Sequence, residues 1–148
     1  MDAFAFDIPM KRLDESLDVP VHAKPGDAGF DLRSAVSLEL LPGKRACIPC
    51  GIALGLPPGF AGLVLPRSGL AADHGITVVN APGLIDAGYR GEVKVILLNT
   101  DDQEPFSIAK GDRIAQLLII PVPEIDLTVT PELDDTLRGD AGFGSSGV

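Results

Sequence analysis

Tryptophan is absent from this chain of 148 residues, tyrosine occurs once, and aromatic residues reach only 5%. A core of this composition is filled by aliphatic side chains. Basic residues are scarce as well, 12 Lys and Arg against 21 Asp and Glu, for a formal net charge of −9. Nucleic acid polymers are held through many simultaneous Lys/Arg–phosphate contacts, so this balance excludes them as partners. It does not exclude a small anion, because a few arginines converging locally, with a divalent metal, can hold a phosphate chain. Long apolar runs are missing too. Hydrophobic residues make up 45% of the chain, but charges and prolines interrupt every run well short of the roughly 20 residues a membrane helix requires. The N-terminal stretch MDAFAFDIPMKRLDESLDV carries acids where a secretory leader is positive. The expectation is a single-domain cytoplasmic protein with no membrane partner.

Cysteine is nearly absent, and its two copies fall together as C-I-P-C at Cys47 and Cys50. A four-ligand zinc site would need His22, His74 or another subunit, and a redox pair normally opens a helix. Strand alternation instead points the two thiols to opposite faces, as small packing residues. Neither histidine has a serine or cysteine near it in sequence that would complete a triad.

Glycine and proline are abundant, 17 and 13 residues, and they break long helices. Between them lie strand-length runs: FDLRSA, VSLEL, CIPCGIALGL, FAGLVL, GITVV, EVKVILLN, FSIA, RIAQLLIIPV and IDLTV. The separators LPGK, GLPPG, NAPG, IDAGYRG, NTDDQEP and AKGD supply turn residues. Many short strands with regular turn signals describe an all-β sandwich, jelly roll or barrel. One helical turn is expected, SGLAADHG after Pro66.

The chain closes on an acidic link and a glycine- and serine-rich tail. GFGSSG matches G-x-G-x-x-G literally, but that motif needs a following helix and only one residue remains. No Lys-Ser/Thr pair follows, so a Walker A loop is excluded as well. Arg138, Phe143, Ser145 and Ser146 among glycines nevertheless make a tail able to close over a phosphate.

Two internal segments carry chemistry. In PRSGLA (66–71), Pro66 ends a strand and Arg67 and Ser68 add a cation and a hydroxyl to a turn that exposes N–H groups, a pattern suited to an anion. NAPGLIDAGYRG (80–91) lies between two strand runs and reads as a β-hairpin with an elaborated tip. Asp86 there is either a turn-capping residue or a general base holding a water. Asn80 offers an amide to the edge of a flat base, and Tyr89 a ring on which a sugar could rest.

Five segments, PGDAGFDL (25–32), PRSGLA (66–71), NAPGLIDAGYRGEVKV (80–95), KGDRIAQLLI (110–119) and RGDAGFGSSG (138–147), resemble in order and spacing the motifs of the trimeric dUTP nucleotidohydrolases, or dUTPases. The resemblance spans nearly the whole chain. It implies an all-β distorted jelly roll of the β-clip type, assembled as a homotrimer with an exchanged C-terminal arm. Residues 1–122 would form the catalytic domain, and 123–148 a linker and arm closing a neighbouring site. The implied reaction is hydrolysis of dUTP to dUMP and pyrophosphate by water attack at the α-phosphorus. That activity limits uracil incorporation into DNA and supplies dUMP for thymidylate synthesis.

By the same resemblance Asp86 is the base that activates water. Asp31 is the outer-sphere anchor of Mg2+, with Asp27 a weaker candidate. Arg67, Ser68 and the Gly69 N–H would grip the phosphates, with Gln116 on the α-phosphate. Asn80 and the backbone at Leu84 and Ile85 would read uracil, Tyr89 would pack under the sugar, and Lys94 would lie near the substrate. In the arm, Arg138, Ser145 and Ser146 would hold the γ-phosphate, Phe143 would stack on the base, and Gly144 would also bind substrate. Ser146 stands where the family commonly has threonine. In the related dCTP deaminases a glutamate follows the hairpin; the matching position here is Ile96, which disfavours deamination. A silent binding module is disfavoured by the retained Asp86, Gln116 and tail.

Overall fold

The computed structural model describes residues 6–143. Ten strands and one short helix follow in chain order: β1 Met10–Arg12, β2 Phe30–Arg33, β3 Leu38–Leu40, β4 Arg45–Leu54, β5 Phe60–Leu65, α1 Ser68–His74, β6 Ile76–Val78, β7 Gly83–Ile85, β8 Glu92–Asn99, β9 Phe106–Ile108 and β10 Arg113–Pro121. One four-stranded sheet runs β1-β4-β8-β6, a second β2-β10-β5-β7, and β3 pairs with β9. Every pairing is antiparallel. The architecture is an all-β distorted jelly roll. Among the described residues no helix is long and apolar enough to cross a membrane.

The core lies between the two larger sheets. β8 shows why: Val93, Val95, Leu97 and Asn99 are buried while Lys94 points out, the two-residue period of a half-buried strand. Ile48 and Leu97 from one sheet meet Leu32 and Ile114 from the other, all at or below 1% exposure. Each such side chain contributes about 1.5–3 kcal/mol relative to leaving it in water. Asn99 is the polar exception on this strand. It is fully buried, and its Nδ2 donates to the Leu40 and Glu104 carbonyls at 3.0 and 2.9 Å while Oδ1 accepts from the Asp101 N–H. Those bonds tie the end of β8 to β3 and to the loop before β9.

The expected helical turn is α1, which stops at Gly75 in the left-handed conformation (φ 64°). A Cβ there would lie 2.7 Å from Thr100 Oγ1, so glycine is required on both counts. Two strands are not expected from the sequence, β1 and β7, each three residues long. The run IDLTV is not a strand: residues 122–135 pair with no strand, and Leu127 and Val129 are 95% and 98% exposed. The hairpin expected between GITVV and EVKVILLN is present as β6 and β8. Its connection is more than a tip, because β7 leaves that sheet and pairs with β5 of the other one.

Candidate functional site

Asp86 follows β7 directly, so the crossing of that strand between sheets sets where the carboxylate stands. Asp86 lines a depression of roughly 200 Å³ together with Asn80, Leu84, Ile85, Tyr89, Glu92 and Lys94. Val64 and Val93 close its apolar floor. Asp86 is exposed, and its backbone carbonyl accepts from the Tyr89 N–H at 3.1 Å, which folds the turn. The Tyr89 hydroxyl donates to the Glu92 carbonyl at 2.9 Å and fixes the ring along the rim. Glu92 is itself held, its Oε1 accepting from the Gly51 N–H at 3.0 Å. One apolar floor therefore carries an amide, an aromatic ring and a free carboxylate, the set needed to seat a flat base and a sugar beside a water.

A second cleft, of roughly 540 Å³, is polar. Lys24, Asp27, Gly29, Asp31, Arg67, Ser68, Gly69, Arg113 and Gln116 line it. Arg67 is the residue before α1, and Ser68 and Gly69 open the helix with amides that have no partner within it. Gln116 Nε2 donates to the Pro66 carbonyl at 2.9 Å, clamping this turn to β10. The Asp31 carboxylate sits between two guanidinium groups, Arg113 Nη1 at 3.5 Å and Arg67 Nε at 3.9 Å. In a chain of net charge −9, this convergence of Lys24, Arg67 and Arg113 is a local reversal of sign suited to a polyphosphate.

Among the described residues no three of His, Cys, Asp and Glu come together as a metal cage. Asp27 is committed to its own turn, Oδ2 accepting from the Lys24 N–H at 2.8 Å. Asp31 faces the cleft. A single carboxylate beside a phosphate site fits a hard cation such as Mg2+, which keeps its waters and takes other ligands from phosphate oxygens. Cys50 is no alternative ligand, because burial pushes its thiol up to about 12, with Glu92 and Cys47 adding to the shift. Cys47 is exposed on the other face of β4. His22 stacks on Phe30 with ring centroids 4.0 Å apart, and His74 tilts against Phe106 at 5.0 Å, so both pack against aromatic rings.

The two clefts share no lining residue. Asn80, Leu84, Ile85, Asp86, Tyr89 and Lys94 gather in the first; Asp27, Asp31, Arg67, Ser68, Gly69 and Gln116 gather in the second. Arg138 and Phe143 line neither. Arg138 Nε donates to the Ala141 carbonyl at 3.0 Å, and Phe143 is fully exposed at a φ of 50°. Gly144, Ser145 and Ser146 lie outside the described residues. Arg113, Lys24 and Glu92 also line these clefts; Arg113 and Glu92 fall within KGDRIAQLLI and NAPGLIDAGYRGEVKV, but residue type alone assigns none of the three a role.

The dUTPase family model matches residues 15–147. Two curated relatives are each 54% identical to this chain: the deoxyuridine 5'-triphosphate nucleotidohydrolases of Thermobifida fusca, over 95% of this chain and 78% of theirs, and of Leifsonia xyli, over 95% and 90%. Among solved structures, the dUTPase of Staphylococcus bacteriophage 80alpha with dUpNHpp superposes with a TM-score of 0.89 at 30% identity, covering 97% of this chain and all of that one. A point mutant of the dUTPase from phage phi11 of S. aureus, described with a structural Mg(II) ion, superposes at 0.79 with 26% identity, over 86% and 98%. With its fold and nearly its whole length matched in this way, the chain belongs to the dUTPase family.

Proposed function

We propose that this chain hydrolyses dUTP to dUMP and pyrophosphate, with Asp86 as the base that orients and deprotonates the attacking water. The observation that carries this reading is the grouping of Asp86 with Asn80 and Tyr89 over one apolar floor, while the cations occupy a separate polar cleft. Asn80 and the backbone of Leu84 and Ile85 pair with the uracil edge, and the narrow turn leaves no room for a 5-methyl group. Tyr89 lies under the sugar and disfavours a 2′-hydroxyl. Hydrogen bonding and exclusion together discriminate better than apolar contact alone. Lys94, outward-facing on β8, adds a cation at the pocket edge.

In the polar cleft Arg67, Ser68 and the Gly69 amide grip the phosphates and Gln116 reaches the α-phosphate. Fixed donors of this kind stabilise the charge that grows on the leaving pyrophosphate. Asp31 is the residue that would hold the water shell of a magnesium ion, with Asp27 secondary, and the bound ion supplies neutralisation of the triphosphate. Arg138, Phe143, Gly144, Ser145 and Ser146 close the site from the arm, excluding water and aligning the phosphate chain.

The assembly is a homotrimer. The base pocket and the phosphate cleft have no residue in common, which supports a site in which one nucleotide is served by surfaces of different copies. The stretch after β10 supports the same conclusion, since Ile125, Leu127, Val129, Leu133 and Leu137 are 68% to 111% exposed on a single chain. Residues 123–148 are thus a linker and arm laid on a neighbour, and residues 1–122 the catalytic domain. The protein works in the cytoplasm, where the unpaired Cys47 and Cys50 stay reduced. There its activity limits uracil in DNA and provides dUMP for thymidylate synthesis.

Incubation with dUTP, dCTP and dTTP plus magnesium, followed by separate assays for pyrophosphate and ammonia, tests the reading. Pyrophosphate from dUTP alone, with no ammonia, is expected. Ammonia from dCTP, or no pyrophosphate from dUTP, would overturn it.

A further inference from the structure

The start of β8 is joined to β4 across a break in their ladder. Pro49 faces Lys94 and Ala53 faces Glu92, so β4 carries three residues, Cys50, Gly51 and Ile52, where β8 has only Val93. Such an irregularity interrupts the regular backbone bonds and leaves groups of the bulged strand without a ladder partner. The Gly51 N–H donates instead to Glu92 Oε1 at 3.0 Å, and a side chain of β8 closes the gap. Among the described residues no cation pairs with Glu92. Its carboxylate serves there as a hydrogen-bond acceptor.

The point to which Glu92 is fastened is itself fixed. Gly51 is left-handed, with a φ of 71°, and a Cβ on it would lie 2.9 Å from both Asp14 Cβ and Leu17 Cδ1. Its carbonyl accepts from the N–H groups of Leu13 and Asp14 at 2.7 and 3.1 Å. Arg12 Nη2 holds the same turn, donating to the Glu15 and Leu17 carbonyls at 2.6 and 2.8 Å. Both polar groups of Gly51 are therefore engaged, the carbonyl by the turn after β1 and the amide by Glu92.

On the other side of Glu92 is the seat of Tyr89. The ring lies against the backbone of Gly91, the residue before β8, where a Cβ would be 2.6 Å from Tyr89 Cζ. The Glu92 carbonyl adds the bond from the Tyr89 hydroxyl at 2.9 Å. We propose that Glu92 is a positioning residue for sugar selection, its carboxylate tying the Gly91–Glu92 backbone to Gly51 so that Tyr89 rests on a fixed support. This rests on the assignment of Tyr89 to the sugar. Removing the acceptor leaves the half-buried Gly51 amide unpaired and frees the support to shift, whereas glutamine still offers an oxygen to the same N–H.

The test takes the full-length wild type with the variants E92A, E92Q, E92D and Y89A, titrated calorimetrically with dUMP and with UMP. Tyr89 is the one tyrosine and tryptophan is absent, so tyrosine fluorescence anisotropy reports the mobility of this ring alone. E92A should lower the preference for dUMP over UMP about fivefold, the size of one net hydrogen bond, and lower the anisotropy. E92Q should stay within about twofold of the wild type in preference and match its anisotropy. E92D keeps the charge but stops one methylene short of Gly51; it should fall between, and it serves should E92A not assemble. Wild-type preference or anisotropy in E92A and E92D would overturn the inference, as would an E92Q loss equal to that of E92A, which would make charge the cause. If Y89A loses the preference while E92A keeps it, the sugar assignment stands and only the role of Glu92 fails. If Y89A keeps it, both fall.

Discussion

Replacing Gly91 with alanine should disturb sugar selection while leaving the fold intact. A Cβ at this position would lie 2.5 Å from Tyr89 Oη, 2.6 Å from Cζ and 3.0 Å from Cε2. Ordinary carbon contacts are about 3.5–4.0 Å, so the ring must move by about 1 Å. Gly91 is not among the glycines with positive φ, and alanine therefore adds no backbone strain. Tyr89 is 46% exposed and free to swing outward, breaking its hydroxyl bond to the Glu92 carbonyl. One hydrogen bond contributes about 0.5–1.5 kcal/mol, and exposure places this one at the lower end. The melting temperature should change by only a few degrees. Steady-state kinetics should show KM for dUTP raised about tenfold, with kcat little changed, and the preference for dUTP over UTP reduced by a similar factor. Tyr89→Phe removes the hydroxyl without the clash and should retain most of that preference. A Gly91→Ala enzyme with unchanged KM and unchanged selectivity would show that the ring is not the platform for the sugar.

Asp86→Asn should bind dUpNHpp in calorimetry about as well as the wild type while turnover falls by about 10²–10⁴, the contribution of a positioned base; near-normal turnover would remove Asp86 from that role. Truncation after Leu137 should abolish hydrolysis without altering the melting curve or the oligomer size, because residues 138–143 bond only locally. A fully active truncation would make the arm dispensable. Asp14 gives a prediction about pH. Lys110, at 2.7 Å, and then Ser16 hold its carboxyl at about 2, below the ordinary 3.8. The folded value is the lower one, so this stabilisation is complete above about pH 4 and is lost as pH falls through about 2. The difference in melting temperature between wild type and Asp14→Asn should shrink across that window. A difference that stays constant down to about pH 2 would contradict the assignment.

Much of the fold is legible because the turn residues and the two-residue apolar period agree. β5, β8 and β10 fall where FAGLVL, EVKVILLN and RIAQLLIIPV place them. Three features are not. β7 is only three residues, too short for a period, and its identity as a strand comes from pairing with β5 in the opposite sheet. IDLTV alternates like a strand, yet on one chain it has no edge to pair with and remains exposed. Local patterning cannot distinguish a strand from an alternating segment that lies outside the sheets. The bulge at Ile114 breaks the rule that places side chains on faces, so alternation counted from Gln116 puts Arg113 on the wrong face although both line one cleft. Candidate site residues that act through side-chain chemistry in a turn, such as Asp86 and Arg67, are visible by residue type. Arg113 and Glu92 become visible only through the ladder and the bond to Gly51.

The central claim is that the attacking water strikes the α-phosphorus. Hydrolysis of dUTP by the wild-type protein in water enriched in oxygen-18, followed by mass spectrometry of both products, tests it most directly. Attack at the α-phosphorus places the heavy oxygen in the phosphate of dUMP and leaves pyrophosphate unlabelled. Heavy oxygen in the pyrophosphate, with dUMP unlabelled, would place the attack on the β-phosphorus and contradict the account.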